Sequence, residues 1–225
     1  IPKLIIKKES DVSEILDKIN PQLIILGKCF HYNMIKLAAE AKKRSIIIIS
    51  CFNDWHFKPI NKKQEIQFKI NNDLIKKSSF NVVKSDGARN LIKKHTGFDS
   101  FVIPDCLRFK DFEIPTIFNN KSKLLWFGSS ANHDTLFKGL DEIENTKIQI
   151  RVNIVTNITQ NLIENFKNKN YQYIKIHLFP YSDKILTNVA FQSDAIIIPL
   201  INDAARQVKS SNRIIDSLHF GRFII

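Results

Sequence analysis

The chain has 225 residues, 44% hydrophobic and 25% charged, which is globular composition and far from that of a disordered chain. At about 100 to 200 residues per domain, this length fits one large domain or two small ones. Lys and Arg number 34 against 22 Asp and Glu, and the resulting net charge of +12 raises nucleic acid or an anionic membrane as partners. Part of that excess follows from a composition crowded with Lys, Ile and Asn and poor in Gly and Pro, the pattern of an A+T-rich coding sequence. The longest apolar run, at 45–51, is strand-sized and short of the roughly 18 residues that span a bilayer. No signal-peptide pattern is expected at the start. Cys29, Cys51 and Cys106 show no CxxC or Cys/His spacing, so buried free thiols in a reducing cytoplasm are expected. The sequence opens on Ile1 and stops on an apolar run, so it is expected to be an excerpt of a longer protein.

In chain order, short apolar runs alternate with amphipathic segments. Strands are predicted at 3–7, 22–27, 45–51, 81–84 and 100–103, with helices at 11–19, 31–44, 62–77 and 86–95 between them. Asp11 and Asp86 have the chemistry of N-caps, and Glu14 completes a capping box behind Asp11. Runs such as LIIL and IIIIS do not alternate, as expected of parallel strands covered on both faces. Residues 104–122 break the rhythm with two prolines and scattered charge, which predicts a linker. The pattern then resumes with strands at 123–127, 148–156, 173–179, 195–199 and 222–225. Helices are predicted at 133–144, 159–167, 183–193 and 210–220. Two α/β units follow, an N-terminal domain over 1–112 and a C-terminal one over 113–225.

The most informative stretch is SDAIIIPLINDAARQVKSSNRIIDSLHFGRFII, where a strand, a loop and a helix opening at Lys209-Ser-Ser-Asn-Arg succeed one another. Ligands of doubly wound sheets sit beyond the carboxyl ends of the strands, where helix N-termini offer N–H groups and a positive dipole to phosphate. Lys209, Ser210, Ser211 and Asn212 add donors there, Arg206 adds a second cation, and Asp216 lies one turn inside the helix. The competing reading makes Ser210 an N-cap and Asp216 a solvated helix residue.

The segment KSSNRIIDSLHFGRFII resembles the donor-binding helix of GT-B-type glycosyltransferases (group 1, family 4-like), which reads roughly K-x-P-[SN]-[KR]-hydrophobic-x-E. NVVKSDGARNLIKKHTGFDSFVIPDCL resembles the end of that family's first domain, and KLLWFGSSANHDTL the first strand and loop of its second. The resemblance covers most of residues 21–225. It implies two Rossmann-like doubly wound parallel sheets facing a cleft, truncated at one or both ends. It also implies transfer of a sugar from a nucleotide-sugar to an acceptor hydroxyl, with no cofactor and no metal.

By position, Lys209 and Ser211/Asn212 would face the diphosphate, Asp216 would take the ribose-binding Glu position, and Gly128 and Ser129 would line the donor loop. The chain departs from the pattern at Val208, where the family often has a Glu, at Ser211 in place of Pro, and in the single glycine of the Gly128 loop.

After the strand at 45–51, Asn53, Asp54, Trp55 and His56 fall in a loop. Asp54 or His56 would act on an acceptor hydroxyl as base or orienting group, and Trp55 would stack on a sugar. The bland alternative is a loop in which the Trp covers the sheet edge and the Asp caps a turn. Asp54 and His56 alone make no metal site, and no DxD motif is present.

His133 beside Asp134, His31 and Lys28 are further candidates for the donor or acceptor side, and His95, His177 and His219 read as structural or exposed. Residues 1–115 hold 21 Lys/Arg against 13 Asp/Glu, so the basic excess lies mainly in the first unit. No aromatic-interleaved nucleic-acid motif accompanies it, so nucleic acid is not the expected partner. A basic acceptor-side domain suits peripheral contact with an anionic cytoplasmic membrane face. Two rival functions stay open, a non-catalytic nucleotide-sugar binder of the same fold and a polyanion binder.

Overall fold

Two separate parallel sheets, of four and five strands, organise the computed structural model, which describes residues 11–27, 31–52, 62–106, 123–200, 208–209 and 211–225. Contacts divide the chain into two compact units, Ile1–Asp105 with Asn202–Ser210, and Cys106–Ile201 with Ser211–Ile225. The strand expected at 3–7, the 112/113 boundary and most of the linker lie outside the described residues. Among the described residues, no helix is long and apolar enough to cross a membrane.

In the first unit the elements run α1 (Val12–Ile19), β1 (Leu23–Gly27), α2 (Asn33–Lys43), β2 (Ile47–Phe52), α3 (Lys62–Lys77), β3 (Phe80–Val83), α4 (Asp86–Thr96) and β4 (Phe101–Val102). The strands pair in sequence order, all parallel, with Leu23 opposite Ile47 and Ile49 opposite Phe80. The core joins Leu16 of α1, Leu37 and Ala41 of α2, Leu74 and Ile75 of α3 and Ile92 of α4 to Leu26, Ile48, Phe52 and Val83 of the strands. All four helices join one core on one face of this sheet, and for α2, α3 and α4 this follows from crossovers of one hand that step in one direction. Arg44 ties α1 to α2, pairing with Asp17 at 2.6 Å and Glu40 at 3.3 Å and donating to Ser13 Oγ at 2.5 Å.

The second unit contains β5 (Lys123–Phe127), a 3-10 turn (Ser130–Asn132), α5 (His133–Asn145), β6 (Ile150–Thr156), α6 (Gln160–Lys169), β7 (Ile174–Pro180), α7 (Asp183–Phe191), β8 (Ala195–Ile196), α8 (Asn212–His219) and β9 (Phe223–Ile224). Its strand order is β7-β6-β5-β8-β9, so the winding reverses at β5. Leu136 and Leu140 of α5 and Leu162 of α6 pack on Leu124, Trp126, Val152 and Ile154 on one face. Leu186, Val189 and Ala190 of α7 and Phe220 pack on Leu125, Phe127, Val155 and Ile196 on the other. Every residue from Leu124 to Phe127 is buried, which is what the non-alternating apolar runs predict for a sheet sandwiched between helices. Each fully buried Leu or Phe there contributes about 1.5–3 kcal/mol relative to its exposed state.

Local chemistry sets the element ends. Asp11 caps α1 as expected, accepting from Ser13 N at 2.8 Å and Glu14 N at 3.3 Å. Asp86 is not the cap of α4. Ser85 is, with its Oγ accepting from Ala88 N, because its extended φ of −152° aims the hydroxyl back at the first turn. Thr159 caps α6 instead of starting it, and β8 stops short of Pro199, whose nitrogen has no hydrogen to donate to the ladder. Arg222 lies buried at the start of the last strand. Its Nε donates to Ala190 O at 2.8 Å and its Nη2 to Phe191 O at 2.5 Å, closing the C-terminal end of α7. Burial pushes the pKa of this guanidinium down, against a weaker upward pull from Asp194.

Candidate functional site

The carboxyl ends of the second unit's strands carry the richest polar constellation among the described residues. β5 leads into Gly128 and Ser129, and β6 ends on Thr156. Gly128 N donates to Val155 O at 3.2 Å, which folds the loop onto the end of β6. The Thr156 hydroxyl donates to Gly128 O at 2.7 Å and lies 3.0 Å from His133 Nε2. A hydroxyl has one proton. Since that proton goes to the Gly128 carbonyl, the oxygen must accept from the imidazole, and His133 carries its hydrogen on Nε2 with Nδ1 as the acceptor end. Burial lowers the His133 pKa, opposed by the charge of Asp134, so the ring is neutral at pH 7. Its ring centroid lies 5.9 Å from that of the fully buried Trp126.

Gly128 is required here for a packing reason. A Cβ at that position would sit 2.9 Å from the Trp126 ring, so the loop runs flat over the indole. Gly139 in α5 has a similar role, because a Cβ there would fall 2.3 Å from Pro199 Cγ, just past β8. The first approach lays the Gly128 loop on β5, and the second sets α5 against the exit of β8.

Helix caps divide this edge of the sheet into two kinds. Thr159 Oγ1 accepts from Leu162 N at the start of α6, and Ser182 Oγ accepts from Ile185 N at the start of α7. By contrast, the 3-10 turn behind Ser129, α5 behind its N-cap Asn132 and α8 behind Ser211 all start without a side-chain capping bond. The two helices without a side-chain cap follow β5 and β8, the neighbouring strands between which the winding reverses. That is the topological switch point, where doubly wound sheets present N–H groups and dipoles to ligands.

The other sequence-predicted residues fall as follows. The helix expected from 210 starts at Asn212 with Ser211 as its N-cap, so Lys209 precedes the helix and is not in its first turn. Ser211 has φ −79° and ψ 17°, so its hydroxyl does not reach back to cap the first turn. Asn212 Oδ1 accepts from Arg213 N at 2.8 Å. Asp216 is not a solvated helix residue; it is 4% exposed, beside a fully buried Ser217 whose hydroxyl donates to Arg213 O.

Lys209 is exposed and Val208 buried, both grouped with the first unit, where Val208 O accepts from Ser85 Oγ at 2.9 Å. His31 Nδ1 accepts from Asn33 N, which ties it to the start of its own helix. Lys28, Asn53, Asp54, Trp55, His56, Arg206 and Ser210 lie outside the described residues. Among the described residues no three His, Cys, Asp or Glu side chains cluster in a way that could hold a metal. Thr156 is the site residue that the sequence alone does not mark. A Thr that ends a β-branched run has no signal of its own, and only the pairing of β5 with β6 brings it to Gly128.

No protein-family model and no curated protein sequence matches the chain. Solved structures do resemble it. TarM matches with a TM-score of 0.70 at 11% identity, covering 95% of this chain and 43% of TarM. A glycosyltransferase from Rickettsia africae matches at 0.65 and 15% identity, over 99% of this chain and 64% of that one. A point mutant of S. aureus TarM, solved with fondaparinux, alpha-GlcNAc-glycerol and UDP, matches at 0.62 and 10% identity, over 83% and 39%. The chain thus spans between 39% and 64% of these structures' length. The fold is the GT-B type of these glycosyltransferases, an α/β fold with two parallel-sheet domains.

Proposed function

We propose that this chain is the nucleotide-sugar-handling part of a glycosyltransferase, which transfers a sugar to an acceptor hydroxyl. One observation carries the reading. The 3-10 turn behind Ser129, which opens into the uncapped α5, and the uncapped α8 behind Ser211 both follow strands at the switch point of the second sheet. The structure of the TarM mutant, with UDP bound in a protein of this fold, supports it. In this reading the diphosphate takes the N–H groups of those helices with the hydroxyls of Ser129 and Ser211 and the Asn212 amide, beside the Gly128 loop. Asp216 accepts from the ribose hydroxyls. Lys209 follows from the family resemblance as a further diphosphate ligand, Ser210 and Arg206 from their place beside the helix start as a donor and a second cation, and Asp54 or His56 from their loop after β2 as the group that orients or deprotonates the acceptor. The leaving diphosphate is stabilised by preorganised N–H dipoles and cations, without a metal. The basic excess of residues 1–115 suits an acceptor presented at an anionic membrane surface.

Isothermal titration with UDP, GDP, ADP and dTDP tests this. At least one is expected to bind, and Ser211→Ala and Asp216→Asn are each expected to weaken it roughly 10-fold, the value of one hydrogen bond to a charged group. A folded protein that binds none of the four refutes the reading. Val208 favours a second reading, a binder without turnover, because a buried valine stands where the family often has a Glu. Tight nucleotide-sugar binding with no release of nucleoside diphosphate would select it.

A further inference from the structure

Ser85 lies between β3 and α4, and its hydroxyl makes two bonds at once. As the N-cap of α4 it accepts from Ala88 N at 3.2 Å, and it donates its one proton to Val208 O at 2.9 Å. Ser182, with almost the same extended backbone (φ −152°, ψ 157°), caps α7 in the same way by accepting from Ile185 N. Capping needs only a lone pair of such a serine, which leaves the proton for a second task. At Ser85 that task is to hold a segment 123 residues further along the chain.

The segment is the one that leads into Lys209. Val208 is 3% exposed, so its side chain is packed as well as its carbonyl bonded, whereas Lys209 is exposed. Both residues group with the first unit, and the chain enters the second unit at Ser211, the N-cap of α8. A peptide group is planar, so Val208 C and O share one plane with Lys209 N and Cα. A bond that fixes the carbonyl fixes that plane, and with it the point from which the Lys209 side chain springs. The ammonium sits on a flexible four-carbon stem, so where the charge can reach depends on where the backbone beneath it is held.

We propose that Ser85 is a positioning residue for Lys209: through Val208 O it sets the place from which the ammonium reaches the diphosphate of a nucleotide-sugar. The proposal rests on the nucleotide-sugar reading above, which makes Lys209 a diphosphate ligand. It gives the start of α4, a structural helix end by its capping bond alone, a part in donor binding.

Variants of Ser85 in the full 225-residue chain separate the two bonds. Aspartate and glycine both serve as N-caps but have no proton for Val208 O at pH 7, whereas threonine can make both bonds. Trypsin cleavage after Lys209 in the folded protein, followed by mass spectrometry, reports whether the segment is held and needs no ligand. Ser85→Asp and Ser85→Gly are expected to speed that cleavage roughly 5-fold, the value of one hydrogen bond, while Ser85→Thr keeps the wild-type rate. Titration with whichever of UDP, GDP, ADP and dTDP binds tightest is the second readout. Ser85→Asp and Ser85→Gly are expected to weaken binding roughly 5-fold and Ser85→Thr to preserve it. In a Lys209→Ala background the same substitutions are expected to change affinity less than about 2-fold, because the residue they act through is gone.

Unchanged cleavage at Lys209 in both variants overturns the proposal, because the bond then does not hold the segment. Faster cleavage with unchanged nucleotide affinity overturns it as well. Equal weakening with and without Lys209 also overturns it, since Ser85 then acts by another route. A wild-type chain that binds none of the four nucleotides refutes the donor reading and this proposal with it, and the cleavage rates still tell whether Ser85 holds the segment.

Discussion

Gly139→Ala sets two known effects against each other. Alanine in a helix interior is favoured over glycine by about 1 kcal/mol, so the change alone would stabilise α5. The new Cβ would lie 2.3 Å from Pro199 Cγ and 2.9 Å from Pro199 Cβ, deep inside contact distance and against a ring that cannot rotate away. Overpacking of this kind costs about 1–3 kcal/mol, and a contact this short belongs in the upper part of that range. The net expectation is a loss of about 1–2 kcal/mol, or roughly 2–8 °C in Tm for a chain of this size. Pro199→Ala removes the ring, and in that background Gly139→Ala should stabilise, by about 1 kcal/mol. Urea unfolding followed by Trp126 fluorescence, with Trp55 changed to Phe, measures all four corners of the cycle. The sign reversal is the prediction. If Gly139→Ala stabilises both backgrounds equally, α5 does not approach Pro199 closely, and α5 is not fixed against the exit of β8.

Thr156→Val keeps the shape of the side chain but leaves His133 Nε2–H and the Gly128 carbonyl without their shared partner, at a cost of about 1–3 kcal/mol in urea unfolding. His133 and His177 both titrate below the ordinary value of 6.5, mainly through burial. The unfolded chain therefore takes up protons first as pH falls. Their stabilising contribution is full above about pH 6.5 and declines on acidification until it levels off below the folded-state values, and His133→Asn should flatten that slope. Arg222→Lys retains the charge, but a lysine cannot reproduce the two guanidinium bonds to Ala190 O and Phe191 O, so a loss of about 1.5–3 kcal/mol is expected by thermal unfolding.

Much of the fold is legible in the sequence because β-branched runs and amphipathic segments leave strong periodic signals. β5 and α3 match their predicted spans to the residue. Most other ends differ by one to three residues, where side-chain geometry decides. Ser85 outcompetes Asp86 as a cap because its backbone is extended, a conformation that residue type does not specify. Ser210 and Ser211 are chemically alike in sequence, and only the start of α8 separates them. The site is half legible. Gly128, Ser129 and Ser211 stand out by their place after a strand or before a helix. Thr156 becomes visible only through β-pairing, and the contrast between capped and uncapped helices depends on hydroxyl directions that no spacing encodes. The exposed side chains of the first sheet, Leu23, Ile25, Ile47, Phe80 and Phe101 among the described residues, are illegible for another reason: an apolar strand reads the same whether one or both of its faces have found a partner.

The Thr156 hydroxyl has a consequence for selectivity. Its single proton goes to Gly128 O, so the neutral imidazole of His133 keeps its hydrogen on Nε2 and its lone pair on Nδ1. A group that meets that nitrogen has to bring its own proton. A fully ionised phosphate oxygen would face lone pair against lone pair, whereas a sugar or ribose hydroxyl would be welcomed. At the site proposed above, Nδ1 would therefore take a hydroxyl in preference to an ionised phosphate oxygen, and acidification, by protonating Nδ1, would reverse that preference.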